Sequence, residues 1–189
     1  MTPSRQDPRL RTSTVPLTKP PMTITVLASG SAWQGHVPTA RRICRKAARG
    51  ALDAAWTHAS FLTTSSAAEL TVVLAGDEVV RTLNRQWRGE DKATNVLAFE
   101  ARDTTSPKEA PRYIGDVVLA FETVTAEAAA QGKKFEDHLA HLVVHGVLHL
   151  LGFDHEKEED AHAMEALEIK ILARLGIGNP YAAAEALLG

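Results

Sequence analysis

Where apolar positions fall along the chain decides most of its elements. Thr23–Leu27 (TITVL) and Leu70–Leu74 (LTVVL) are short apolar runs, the second closed by Gly76, and both read as strands. Thr94–Phe99 (TNVLAF) and Ile114–Ala120 (IGDVVLA) read as two more, with the two-proline segment Arg102–Tyr113 as the loop between them. Elsewhere the spacing is helical. A helix is predicted over Pro38–Trp56, with proline suited to its first turn. A second is predicted over Asp77–Trp87, where Val79, Val80, Leu83 and Trp87 share a side. Glu122–Gln131 is a helix stopped by Gly132, Phe135–Leu151 an amphipathic helix stopped by Gly152, and Glu156–Leu175 a helix opening in acidic residues. An alanine-rich piece follows Pro180, for five or six helices in all. Residues 1–22 hold five prolines and no apolar period, and are expected to be a disordered tail ahead of one domain over residues 23–189. Strands early and helices late make this an α+β fold, with a small sheet packed on helices.

Composition narrows the class without naming a function. A chain of 189 residues, 44% hydrophobic and 23% charged, carries enough apolar material for one core. No apolar run nears the roughly 20 residues of a bilayer span. The N-terminus lacks an apolar signal region, so the expected location is the cytoplasm, with no membrane partner. Cys44 is the sole cysteine, which leaves no intrachain disulfide and no Cys-x-x-Cys zinc site; any metal falls to histidine and carboxylate. A net charge of −2 does not mark a nucleic-acid binder, yet two basic clusters stand out. They are Arg41, Arg42, Arg45, Lys46 and Arg49, then Arg81, Arg85, Arg88 and Lys92. Such runs serve either as solvated helix faces or as a lining for phosphates.

The informative stretch is His145-Gly-Val-Leu-His149-Leu-Leu-Gly152-Phe-Asp154-His155. Four residues apart on a helix, His145 and His149 lie one turn apart on one face, where two imidazoles can grip one ion. Gly152 ends that helix and lets the chain turn back, so that His155 can arrive as a third ligand. Three protein ligands with an open fourth position is the arrangement of a catalytic zinc. His138 and His141 extend the same face, which makes His141–His145 a rival pair; the nearness of the turn favours His145 and His149. A supporting or core role suits His141. His36, His58 and His162 have no such neighbours in sequence and read as ordinary histidines.

The spacing overlaps the zinc peptidase pattern H-E-x-x-H-x-x-G-x-x-H, but the glutamate position is Gly146. That glutamate is the base that deprotonates zinc-bound water, and glycine cannot replace it. The stretch HGVLHLLGFDH instead resembles the YbeY family of metal-dependent endoribonucleases, matching H-G-x-L-H-L-x-G-[FY]-D-H at every defined position. Leu83-Asn84 and Arg88-Gly-Glu-Asp-Lys-Ala-Thr-Asn-Val-Leu-Ala-Phe99 are similar to the family's L-N-x3-R-G-x-D-x-x-T-N-V-L-S-F segment, with Ala98 in place of the usual serine. Gly115-Asp116 resembles its G-D strand, and Met164–Glu168 its helix after the ligands. The likeness covers roughly residues 70–181 and is weak before them. It implies a small mixed four-stranded sheet with several helices, and a zincin-like metal site on a helix and the following turn. It implies one Zn2+ per chain held by His145, His149 and His155, and a conserved arginine at Arg88. It further implies a single-strand-selective endoribonuclease that acts on ribosomal RNA, especially at the small-subunit 3′ end, and in ribosome quality control. The partners implied are single-stranded RNA, rRNA and ribosomal subunits, with no DNA.

The chemistry of these residue types agrees with that reading. Zinc lowers the pKa of bound water to about 7 and polarises phosphoryl oxygens. Charge building at phosphorus suits a guanidinium, which makes Arg88 the catalytic candidate against the alternative of a surface salt bridge. Asp154, beside His155, suits orientation of a ligand or a helix cap. The general base is open: the zinc hydroxide, another carboxylate or a substrate oxygen. Two other functions fit part of the pattern, a zinc-stabilised RNA-binding assembly factor without catalysis and a zinc hydrolase of another substrate class such as a peptidase.

Overall fold

The computed structural model describes residues 18–64, 66–101, 111–154 and 158–182. Ten elements run along it: β1 (Met22–Ala28), α1 (Val37–Ala55), a 3-10 turn (Ser60–Thr64), β2 (Ala68–Ala75), α2 (Asp77–Arg88), β3 (Val96–Glu100), β4 (Arg112–Ala120), α3 (Phe121–Ala130), α4 (Phe135–Leu150) and α5 (Glu158–Arg174). The four predicted strands and five of the predicted helices are present, with ends moved by a few residues at most, while most of the alanine-rich piece after Pro180 lies outside the described residues. The 3-10 turn is additional, and Met22 is buried at the start of β1 rather than at the end of a tail. Residues 1–17 of the expected tail lie outside the described residues, as does much of the β3–β4 loop.

The sheet is mixed, in the order β1-β2-β4-β3. β1, β2 and β4 are parallel, and β3 returns antiparallel to β4. β4 therefore lies between the strand before it in sequence and β2, with β3 at the edge. A bulge at Ile114 shifts the β2–β4 register, so that Glu69 faces Tyr113 and Leu70 faces Gly115. Gly115 sits at φ 146°, and a Cβ there would stand 2.2 Å from the Phe99 carbonyl oxygen, so the kink admits only glycine.

One sheet face, with Val26, Leu70, Val72, Leu74, Val117 and Leu119, packs into the main core under α1 and α4. α1 presents a row of small buried residues, Ala40, Cys44, Ala47, Ala48 and Ala51, which lets α4 approach closely. Among the described residues the other face is covered by α2, over a smaller cluster of Ala75, Val80, Leu97, Val118 and Ala120. The two basic clusters thus lie on opposite faces of the sheet and cannot line one groove. They are also partly engaged: Arg49 donates to the Met22 carbonyl (2.6 Å), and Arg81 pairs with both oxygens of Asp91 (2.8 and 2.9 Å).

α4 departs from the amphipathic helix expected. It runs through the middle of the molecule against α1, α3, α5, β3 and β4. From His138 to Leu150 every residue is buried except His141, His145 and His149. A helix apolar on nearly all sides is a core helix, and this one opens only along its histidine stripe.

Candidate metal and phosphate site

His145 and His149 face each other at 3.1 Å between their Nε2 atoms. Each ring is held from behind. His145 Nδ1 lies 2.8 Å from Glu168 Oε1, and His149 Nδ1 lies 3.0 Å from the Phe153 carbonyl oxygen. Carboxylate and carbonyl oxygens only accept, so both Nδ1 atoms carry the proton. In neutral rings the two Nε2 lone pairs then point at one another, an arrangement that repels unless a cation lies between. Two zinc–nitrogen bonds of about 2.05 Å at a tetrahedral angle put the nitrogens about 3.3 Å apart. The pair fits a metal ion on spacing and on donor chemistry. Among the described residues no group of three His, Cys, Asp or Glu side chains is arranged to hold a metal ion, and His155, the expected third ligand, lies outside them.

Local sequence accounts for the turn behind His149. Gly152 adopts φ 87°, and the backbone doubles back so that Phe153 N–H donates to the Leu148 carbonyl (3.1 Å). The reversal delivers the Phe153 carbonyl to His149. His58 stacks on the Phe153 ring (4.0 Å, 23°), so a histidine that seemed incidental in sequence braces the turn.

Glu168, on α5, is the residue that sequence reasoning missed. It is buried (1% exposed), yet its Oε2 takes hydrogen bonds from His141 (2.9 Å) and from the Tyr181 hydroxyl while Oε1 serves His145. Burial pushes its pKa up, but donation from His141, His145 and Tyr181 outweighs that and holds the carboxyl at about 2. Burial and the same carboxylate push the Tyr181 phenol far above its ordinary range. His141 and His145 thus share one buried carboxylate. A sequence signal existed: Glu168 is a carboxylate on the inner side of an otherwise apolar helical stripe with Met164, Ile171 and Leu172. His138 belongs to a separate cluster. Its Nε2 meets Glu127 (3.0 Å), which also accepts from Asn95 (2.9 Å), and burial lowers its pKa.

Gly146 faces away from the histidines and onto β4. A Cβ there would lie 2.8 Å from Val117 Cγ1 and 3.4 Å from Val96 Cγ2. The position that holds glutamate in zinc peptidases is closed by the sheet, so no base can stand there.

Arg88 is exposed at the C-terminus of α2. It lines a cavity of about 350 Å³ with Ala98, Glu100, His149, Gly152, Phe153 and Asp154. The structure thus brings Arg88 and Asp154 into one cavity with His149. Its neighbours in sequence explain the placement. Buried Asn84 donates to the Lys92 carbonyl (2.9 Å), and Asp91 is clamped by Arg81, so the loop after Arg88 is tied back to α2. Ala98 lines the same cavity and brings no hydroxyl to it.

Comparison with known proteins gives a consistent picture. The sequence model of the family described as Endoribonuclease YbeY matches residues 34–176. The Endoribonuclease YbeY of Paramagnetospirillum magneticum is 49% identical over 153 residues, 79% of this chain and 90% of its own. That of Bradyrhizobium diazoefficiens is 43% identical over 175 residues, 91% of each chain. The solution structure of TM1509 from Thermotoga maritima shares the fold with a TM-score of 0.51 at 21% identity, covering 81% of this chain and 91% of that one. On the extent of the family match and of these two relatives, this chain belongs to the YbeY endoribonuclease family.

Proposed function

We propose that the protein is a zinc-dependent, single-strand-selective endoribonuclease of ribosomal RNA processing. It would act at the small-subunit 3′ end and in ribosome quality control, with ribosomal subunits as its partners in the cytoplasm. The observation that carries this reading is the opening of Arg88 and His149 onto one cavity, while His145 and His149 turn their Nε2 atoms toward each other. His145, His149 and His155 would hold one Zn2+. When bound, the ion supplies a Lewis acid and lowers the pKa of water to about 7.

The chain's own residues do the rest. Arg88 pairs its planar guanidinium with the scissile phosphate and stabilises the charge that develops there. Glu168 and the Phe153 carbonyl keep the two imidazoles in one tautomer and orientation. Glu100 and Asp154, the carboxylates on the cavity wall, are the groups there able to take a proton from water.

The test is cleavage of labelled single-stranded RNA by the purified protein, with chelator and with zinc restored. Cleavage lost to the chelator and regained with zinc supports the proposal. Chelator-resistant cleavage removes the metal from it. RNA binding with no cleavage under any metal favours the non-catalytic assembly factor.

A further inference from the structure

The half of the sheet that α2 leaves open forms a groove of about 880 Å³ between α2 and strands β3 and β4. Val73 and Val118 floor it, Val79, Leu83 and Trp87 wall it on the helix side, and Phe99 of β3 lies against Trp87. Exposure of large hydrophobic side chains is concentrated here. Among the described residues those side chains are Leu27, Val79, Trp87 and Tyr113, and all but Leu27 line the groove. Trp87 is 59% exposed, and its indole meets Phe99 edge to face at 6.0 Å, which helps to position the ring.

The groove is continuous with the cavity at the histidines: Arg88, Ala98 and Glu100 line both. Charge decides what can lie on each side of that junction. Arg88 offers a cation at the boundary, whereas Glu100 and Asp116 put carboxylates within the groove. A phosphate is repelled from the groove and held at its edge. A nucleobase has an apolar face for the aromatic wall and ring N–H groups for the carboxylates.

We propose that this groove binds one unpaired base of the RNA strand, stacked on Trp87, while the neighbouring phosphate lies at Arg88. The assignment rests on the endoribonuclease reading and supplies a cause for single-strand selectivity. A base stacked and paired in a duplex cannot enter without being extruded, whereas an unpaired one enters at little cost.

The experiment compares wild type with Trp87→Leu and Trp87→Phe on single-stranded RNA and on the same RNA carrying one abasic position at each site around the cleaved bond. Trp87→Leu keeps the apolar volume and loses the stacking face. It should lower kcat/KM on intact RNA about tenfold, within the range of one lost base–aromatic stack, with unchanged melting temperature and zinc content. Trp87→Phe should keep most of the rate. One abasic position should slow wild type by a similar factor and slow Trp87→Leu no further, as expected of two changes that remove one contact. Wild-type rates for Trp87→Leu, or an equal loss on every abasic substrate, would overturn the proposal. If wild type cleaves no RNA at all, the enzymatic reading fails on its own. The groove is then judged by binding of RNA containing 2-aminopurine, whose fluorescence stacking quenches: quenching by wild type and not by Trp87→Leu upholds it, and equal quenching overturns it.

Discussion

Removing the Glu168 carboxylate should damage stability and metal affinity together, and the two losses can be sized from its contacts. In Glu168→Ala the donors of His141, His145 and Tyr181 lose their acceptor. His141 (12% exposed) is left with its longer 3.2 Å contact to the Tyr181 hydroxyl, while His145 (27% exposed) reaches water in part. An orphaned buried donor costs about 1–3 kcal/mol, and breaking a buried charged network about 3–5 kcal/mol. For a domain of this size, a loss of about 4 kcal/mol lowers Tm by about 10 °C. With His145 no longer held in orientation, zinc affinity should fall about 10- to 100-fold. Glu168→Gln keeps the shape and one acceptor. Its oxygen can serve His145, but its amide must then face His141, whose remaining nitrogen, Nδ1, is buried with no hydrogen-bond partner among the described residues. It should therefore fall between wild type and alanine. Acid should act in the same direction. The carboxyl titrates near 2 when folded, below its ordinary 4.5, so the unfolded chain binds the proton first. Its contribution is complete above about pH 4.5 and is lost as pH falls toward 2; in metal-stripped protein Glu168→Gln should flatten that decline. Calorimetry gives Tm, and competition against a chelating dye gives the zinc constant. Wild-type values of both in Glu168→Ala would refute the argument that this carboxylate orients His145.

The remaining expectations concern the histidines, Arg88 and Gly146. His149→Ala should lose most of the roughly one zinc per chain and His138→Ala little, by metal analysis after dialysis; the reverse result would reassign the ligands. Arg88→Ala should keep zinc and Tm but lose about a hundredfold or more in single-turnover cleavage, with lysine rescuing only in part. Wild-type cleavage would take Arg88 out of the mechanism, and loss of folding would make it structural. Gly146→Ala gains up to about 1 kcal/mol of helix propensity, but its methyl meets Val117. Overpacking of about 1–3 kcal/mol should leave a net loss in chemical denaturation. A stabilised variant would mean that the α4–β4 contact has room to yield.

What the sequence determined by itself was what its short-range periods encode. A repeat of 3.6 residues set His145 and His149 on one face, and the glycine at position 152 marked the turn behind them. Arg88 and the family motifs were equally visible, because they are contiguous. The tertiary structure decided the rest. Strand order is one example: β4 enters between β2 and β3 through hydrogen bonds that no apolar pattern specifies. The burial of α4 is another, since an apolar helix reads alike whether one side or nearly all of it is covered. Gly146 looked like a missing base and proves to be the point where α4 touches Val117. The two basic clusters could be read either as solvated helix faces or as a lining for phosphates, and the sheet places them on opposite sides. Glu168, 23 residues beyond His145, became part of the site only when α5 packed on α4. Periodicity records which side of an element is buried, whereas the partner it is buried against is settled by long-range packing, whose contacts are distant in the chain.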